Sequence, residues 1–89
     1  MSQIDVTVTD AGGAMRKSVT VPDDAQAVKI IAALVDQLKL PLTSPDGTPM
    51  SYKFHHHESS RQIGDATTLA EAGVQSGHTL RLIPEIIAG

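Results

Sequence analysis

The sequence predicts an α+β domain in which one long helix packs across a mixed sheet of four to five strands. Three observations carry this. Apolar residues alternate with polar ones at Ile4, Val6 and Val8. They then recur in steps of three and four at Val28, Ile31, Val35 and Leu38. The alternation returns at Met50–Phe54 and at His78–Ile83.

The opening alternation reads as a strand with one buried face, because β-branched side chains at every second position suit a half-buried pleat. Asp10-Ala11-Gly12-Gly13-Ala14 follows, and paired glycines accept positive φ at little cost, which makes a hairpin. The second strand runs from Met15 to Val21, with Val19 and Val21 inward and Lys17 near the rim. Asp23 or Asp24 is placed to cap the helix expected over Ala25–Lys39. Its buried stripe is Val28, Ile31, Val35 and Leu38, flanked by Ile30 and Leu34. Lys29, Asp36, Gln37 and Lys39 fall on the outer side, with Lys39 at the negative end of the helix dipole. Leu40-Pro41 stops the helix, since a residue before proline is pushed out of the helical region.

Residues 40–49 hold three prolines and an Asp46-Gly47 turn signal, and so form a loop. Met50–Phe54 is a third strand. His55 to Ser60 is polar and reads as a loop, and Arg61–Gly64 as one more short strand. Thr68 with Glu71 three residues on is a capping pair, predicting a helical turn that ends at Gly73. Ser76-Gly77 turns the chain into the last strand, His78–Ile83, with Leu80 and Leu82 inward. That strand and the first are expected side by side and parallel at the centre, the helix supplying the crossover.

Composition narrows the function. Eighty-nine residues make one domain. Seven basic and ten acidic residues give a net charge of −3, and Tyr52 and Phe54 are the only aromatics, so neither charge nor base stacking supports nucleic-acid binding. There is no cysteine, which excludes a disulfide scaffold, a thiolate metal site and a cysteine nucleophile. No apolar run reaches the roughly 18–20 residues of a membrane span. The first five residues have neither a basic nor an apolar block, so no signal peptide is read and a cytoplasmic location is expected.

The fifteen residues Thr68-Leu69-Ala70-Glu71-Ala72-Gly73-Val74-Gln75-Ser76-Gly77-His78-Thr79-Leu80-Arg81-Leu82 resemble the segment leading into the last strand of ubiquitin-like proteins. They are most similar to the bacterial EsaB/YukD-type ubiquitin-like family. The element order, over nearly the whole chain, is similar to that of the β-grasp (ubiquitin-like) fold. A second resemblance lies at the end. In ubiquitin a Thr-Leu pair opens the final strand and the chain runs nine residues further to Gly-Gly. Here Thr79-Leu80 is followed by Arg81-Leu82-Ile83-Pro84-Glu85-Ile86-Ile87-Ala88-Gly89, the same spacing with an Ala-Gly end. The expected layout is a β-grasp domain over 1–83 and a flexible tail over 84–89.

What the resemblance implies is a bacterial protein modifier with no catalytic residues of its own. Its terminal carboxylate at Gly89 would be adenylated with ATP by an E1-like activating enzyme, held as a thioester, and passed by an E2-like conjugating enzyme to target proteins as an isopeptide. A JAB-type deconjugating protease would be a further partner. No cofactor is implied for the chain itself, because the ATP belongs to the activating enzyme. A terminal residue without a Cβ suits close approach to a nucleotide and a sulfur, and Ala88 is the smallest departure from the expected glycine. Pro84 cannot donate to a ladder and is expected to end the strand and release Glu85, Ile86 and Ile87 for recognition by E1 and E2. Arg81 and Ile83 alternate outward on the last strand and form the expected docking surface.

Two other resemblances imply different roles. An EsaB/YukD-type module linked to type VII secretion docks without conjugation. A sulfur carrier would bear a terminal thiocarboxylate, but that family ends in Gly-Gly, and Ala88 counts against it. The remaining candidates reduce to structure. His55, His56 and His57 with Glu58 offer ligand types for zinc or nickel, but neighbours on a strand point to opposite faces and His78 stands alone in the sequence, so no metal site is expected. Gly12-Gly13 lacks phosphate-loop spacing. No nucleophile, base and orienting group occur together.

Overall fold

A computed structural model describes residues 3–86 of the chain. Five strands and one helix follow in the order β1 (Gln3–Thr9), β2 (Arg16–Pro22), α1 (Ala27–Leu38), β3 (Met50–His56), β4 (Arg61–Ile63) and β5 (Thr79–Ile86). They form one sheet in the order β2-β1-β5-β3-β4. β1 and β5 run parallel at its centre, with Val8 opposite Leu80, and the other neighbours are antiparallel. This is the β-grasp arrangement that the resemblance implies, with α1 laid across one face.

The core is aliphatic, as two aromatic residues require. Val6 and Val8 of β1, Val21 of β2, Tyr52 and Phe54 of β3, Ile63 of β4 and Leu80 and Leu82 of β5 meet Ala27, Ile30, Ile31, Leu34 and Val35 of α1. Leu69 and Val74, from the turn before β5, close the same cluster. Phe54, Leu69 and Leu80 are fully buried. Burying a side chain of this size contributes on the order of 1.5–3 kcal/mol.

α1 differs from the sequence expectation at its start, its face and its end. Neither Asp23 nor Asp24 caps it. Gln26 is the N-cap, with no side-chain bond, and the first amides are held from outside the helix: Ala27 donates to the Thr67 carbonyl at 2.9 Å and Val28 to that of Asp65 at 3.1 Å. Neighbouring backbone thus replaces the side-chain oxygen that a helix start in solvent would need. The buried stripe is Ala27, Ile30, Ile31, Leu34 and Val35, and Val28 is 43% exposed at its margin. The helix ends at Leu38, because Lys39 takes the left-handed conformation at φ 53° and so serves as the C-cap instead of extending the last turn.

The hairpin glycine behaves as read: Gly13 sits at φ 76° and its amide donates to the Asp10 carbonyl at 3.1 Å. In the turn before β5, the Thr68 amide donates to Glu71 Oε1 at 3.0 Å and the Glu71 amide to Thr68 Oγ1 at 3.1 Å, a reciprocal pair. Those bonds hold the Glu71 carboxyl below its usual range. Gly73, at φ 80°, ends the turn, and the Val74 amide reaches back to the Leu69 carbonyl at 3.0 Å.

Two strands outrun their expected ends. β3 continues past Phe54 to include His55 and His56, which the polar run had placed in a loop. β5 continues through Pro84 to Ile86, with Pro84 opposite Tyr52, Glu85 opposite Ser51 and Ile86 opposite Met50. Proline is tolerated there because of ladder phase. The His57 amide bonds the Thr79 carbonyl at 3.0 Å, so odd-numbered residues of β5 exchange bonds with β3. The nitrogens of even-numbered residues then face the β1 side, and β1 has ended at Thr9, opposite Arg81. Pro84 therefore forfeits no ladder bond. Residues 84–86 belong to the sheet, and Ile87, Ala88 and Gly89 lie outside the described residues.

Candidate docking surface

With one face of the sheet covered by α1, the opposite face is open. Strand alternation puts Leu80 and Leu82 into the core and therefore Arg81, Ile83 and Glu85 on the open side, where all three are exposed. Arg81 and Ile83, the pair singled out in the sequence, lie two residues apart on this face. Pairing registers then assemble a row that the sequence does not display. Arg16 is opposite Thr9, Thr9 opposite Arg81, Arg81 opposite His55, and His55 opposite Gln62. One residue from each of the five strands thus forms a line across the sheet.

Two arginines flank Thr9 in that row, and Thr9 is only 6% exposed beneath them. A shallow hollow of about 170 Å³ opens beside them, lined by Thr9, Gly13, Arg16, His57, Thr79 and Arg81. Among the described residues, neither arginine is paired with a carboxylate. Lys53, on the neighbouring row opposite Ile83, is neutralised by Asp65 at 2.6 Å. The open face therefore offers two free guanidinium groups next to an exposed isoleucine, on a chain whose net charge is −3. Guanidinium forks pair with carboxylates through two parallel bonds, so this surface suits an acidic segment with an apolar neighbour.

Arg16 was missed in the sequence because nothing local marks it. It follows a hairpin and sits far along the chain from Arg81, and only the pairing of β2 with β1 and of β1 with β5 unites them. The tail residues fare differently. Pro84 and Glu85 are exposed but bonded into β5; for Ile86 only the strand backbone is described; Ile87, Ala88 and Gly89 lie outside the described residues.

At the far end of β3 and the start of β5 the structure departs from the sequence reading. His56 is 3% exposed, and His78 is not alone: His56 Nε2 lies 2.9 Å from His78 Nδ1, with the rings tilted at 31°. Ser59 Oγ meets His56 Nδ1 at 2.8 Å, and Glu58 Oε1 stands 3.6 Å from His56 Nε2. Burial, then the neighbouring His78, hold the His56 imidazole below its ordinary value. At neutral pH its contact with Glu58 is accordingly not an ion pair. Burial is the largest influence on Glu58 and opposes its ionisation, but the Thr79 amide, which donates to both its oxygens at 3.0 and 3.2 Å, acts with the Glu58 backbone amide and the two nearby imidazoles to bring the net direction down.

No helix among the described residues is long and apolar enough to cross a membrane. Similar folds are found among solved structures. A ubiquitin from Caldiarchaeum subterraneum is 25% identical, with a TM-score of 0.65, and the match covers 99% of this chain and all of that one. A designed protein based on ubiquitin gives a TM-score of 0.72 at 18% identity, covering 97% of this chain and 93% of its own. The ubiquitin-like domain of Plasmodium falciparum Dsk2 gives 0.70 at 17% identity, covering 94% and 100%. No curated protein sequence matches. The family described as the WXG100 protein secretion system (Wss) protein YukD matches residues 3–82. That span runs from the start of β1 to Leu82 within β5, and both the ubiquitin-like fold and this family are non-enzymatic modules. The chain belongs to the YukD family of ubiquitin-like proteins.

Proposed function

We propose that this protein is a non-conjugated docking module of a WXG100-type secretion system, acting through the open face of its sheet. The observation that carries the reading is the extent of the family match, residues 3–82, which takes in every element up to Leu82 of β5. The match takes in Arg16 and Arg81 of the open face, with Ile83 one residue beyond it. Arg16 and Arg81, free of carboxylate partners among the described residues, and the exposed Ile83 are the recognition groups on that surface. The partner segment carries acidic side chains to meet the guanidinium pair and an apolar side chain to cover Ile83. Charge complementarity of this kind sets specificity and association rate more than raw affinity.

The test is genetic complementation in a host whose secretion of a WXG100 substrate depends on this protein. A chain with Arg81→Glu and Ile83→Asp is expected to abolish secretion while folding normally, and a chain lacking Gly89 is expected to support it. Full secretion by the double variant would refute the docking reading.

A second reading is favoured by one observation, the end-to-end coverage of an archaeal ubiquitin. On it, the Gly89 carboxylate is activated by an E1-like enzyme and transferred by an E2-like enzyme. Incubation with ATP and those enzymes would then produce a thioester and adducts that disappear when Gly89 is removed. β5 bears on this reading, because it keeps Pro84, Glu85 and Ile86 in register with β3. A channel-threading tail would first have to peel those residues from the sheet.

A further inference from the structure

We propose that His56, His78 and Glu58 form a binding site for a divalent transition-metal ion of the zinc class. The three residues come from different places: the last position of β3, the loop after it, and the residue before β5. Pairing of β3 with β5 brings them together, and one ligand atom from each lies within 4.8 Å of the others. Zinc bonds imidazole nitrogen at about 2.0–2.1 Å, so two ligands on a tetrahedral ion stand about 3.3 Å apart. His56 Nε2 and His78 Nδ1 are 2.9 Å apart, and His56 Nε2 and Glu58 Oε1 3.6 Å. The first pair has to open and the second to close by only a few tenths of an ångström.

The surroundings complete the site. His56 Nδ1, the nitrogen not used by the ion, meets Ser59 Oγ at 2.8 Å, which orients the ring as metal-bound histidines require. Two nitrogens at 2.9 Å need a hydrogen between them in the metal-free chain. Because the Gln75 amide also donates to His78 Nδ1 at 3.2 Å, that hydrogen belongs to His56 Nε2. On metal binding it moves to His56 Nδ1, where Ser59 Oγ turns from donor to acceptor, the ion takes the His78 Nδ1 lone pair in place of the Gln75 amide, whose bond to it is given up, and neutral imidazoles release no net proton. Glu58 is partly exposed and His78 half-buried, so the fourth position is open to a water from the solvent side. Two nitrogens and one carboxylate favour zinc, copper or nickel over magnesium and calcium, which take oxygen ligands. His55 and His57 stand on the opposite face of β3 and its extension and take no part.

The experiment is calorimetric titration of the full chain, stripped with a chelator, with Zn²⁺ in the presence of excess Mg²⁺. One equivalent is expected to bind, with Nε2 of His56 and Nδ1 of His78 shifting in ¹⁵N spectra of the rings. His78→Gln and Glu58→Gln should each weaken binding by at least about 10-fold, the lower bound for loss of a supporting group. The chain with His55→Gln and His57→Gln together should bind as the parent does. Glu58→Gln keeps a carbonyl acceptor for the Thr79 amide, so it decides the matter even if the His78 variant fails to fold. No saturable binding, undiminished binding by Glu58→Gln, or loss that follows His55 and His57 would overturn the proposal.

Discussion

Tyr52 and Pro84 face each other across β3 and β5, and the Tyr52 hydroxyl reaches beyond the sheet to the Pro41 carbonyl at 2.8 Å. One residue thereby joins the end of β5 to the loop that follows α1. Burial pushes its phenol above the ordinary value, in keeping with a ring that is 9% exposed.

Tyr52→Phe keeps the ring and removes only that bond. The loss should be about 1 kcal/mol, the usual net worth of one hydrogen bond with a neutral donor. A urea denaturation curve shows it as a lower midpoint at unchanged slope.

Phe54→Ala should be far more damaging. Phe54 is fully buried, at 0% exposure, and it lies between Leu82 and Ile63 in the pairing. Large-to-small changes of this kind cost about 3–5 kcal/mol. That is a large part of the roughly 5–15 kcal/mol that holds a small domain together. Denaturant titration against the parent chain measures it.

Thr68→Ala removes the oxygen that accepts from the Glu71 amide at 3.1 Å. A cost of about 1 kcal/mol is expected, and Thr68→Ser should restore most of it. Hydrogen exchange at the Glu71 amide should quicken in the alanine variant and not in the serine one.

The loop after α1 carries its own pH dependence. Asp46 accepts from the Ser44 hydroxyl and from the Thr48 amide, and these bonds lower its carboxyl from 3.8 to about 2. A depressed carboxylate contributes stability that is complete above the unfolded value and fades as pH falls. For Asp46 the fading spans the window from 3.8 down to about 2. Direct ¹³C titration of the Asp46 carboxyl should find its midpoint at the low end, and Asp46→Asn should remove that part of the acid sensitivity.

Most of the fold was legible because the two periods are strong. Ile4, Val6 and Val8 alternate without a break, and Leu80 and Leu82 do the same. The departures have local physical causes. The polar run 55–60 predicts a loop, yet His56 is buried at a strand end where His78 and Ser59 supply its bonds. Asp23 and Asp24 looked like caps because a sequence does not show that the carbonyls of Asp65 and Thr67 already hold the helix start. Pro84 looked like a strand end because ladder phase is invisible without a partner. The docking surface was half legible: alternation points Arg81 and Ile83 outward, but strand order alone sets Arg16 beside Thr9.

The parallel pair at the middle of the sheet joins segments more than 70 residues apart, with the Asp5 amide bonded to Ser76 Oγ and the Gly77 amide to the Asp5 carbonyl. Such distant closure is slow, because segments far apart in sequence must meet before the contact rewards them. While the chain emerges from a ribosome, β1 and β2 wait as a hairpin whose inner edge has nothing to bond. The domain is therefore completed only after synthesis of its last strand, because β5 alone links the β1–β2 hairpin to the β3–β4 pair.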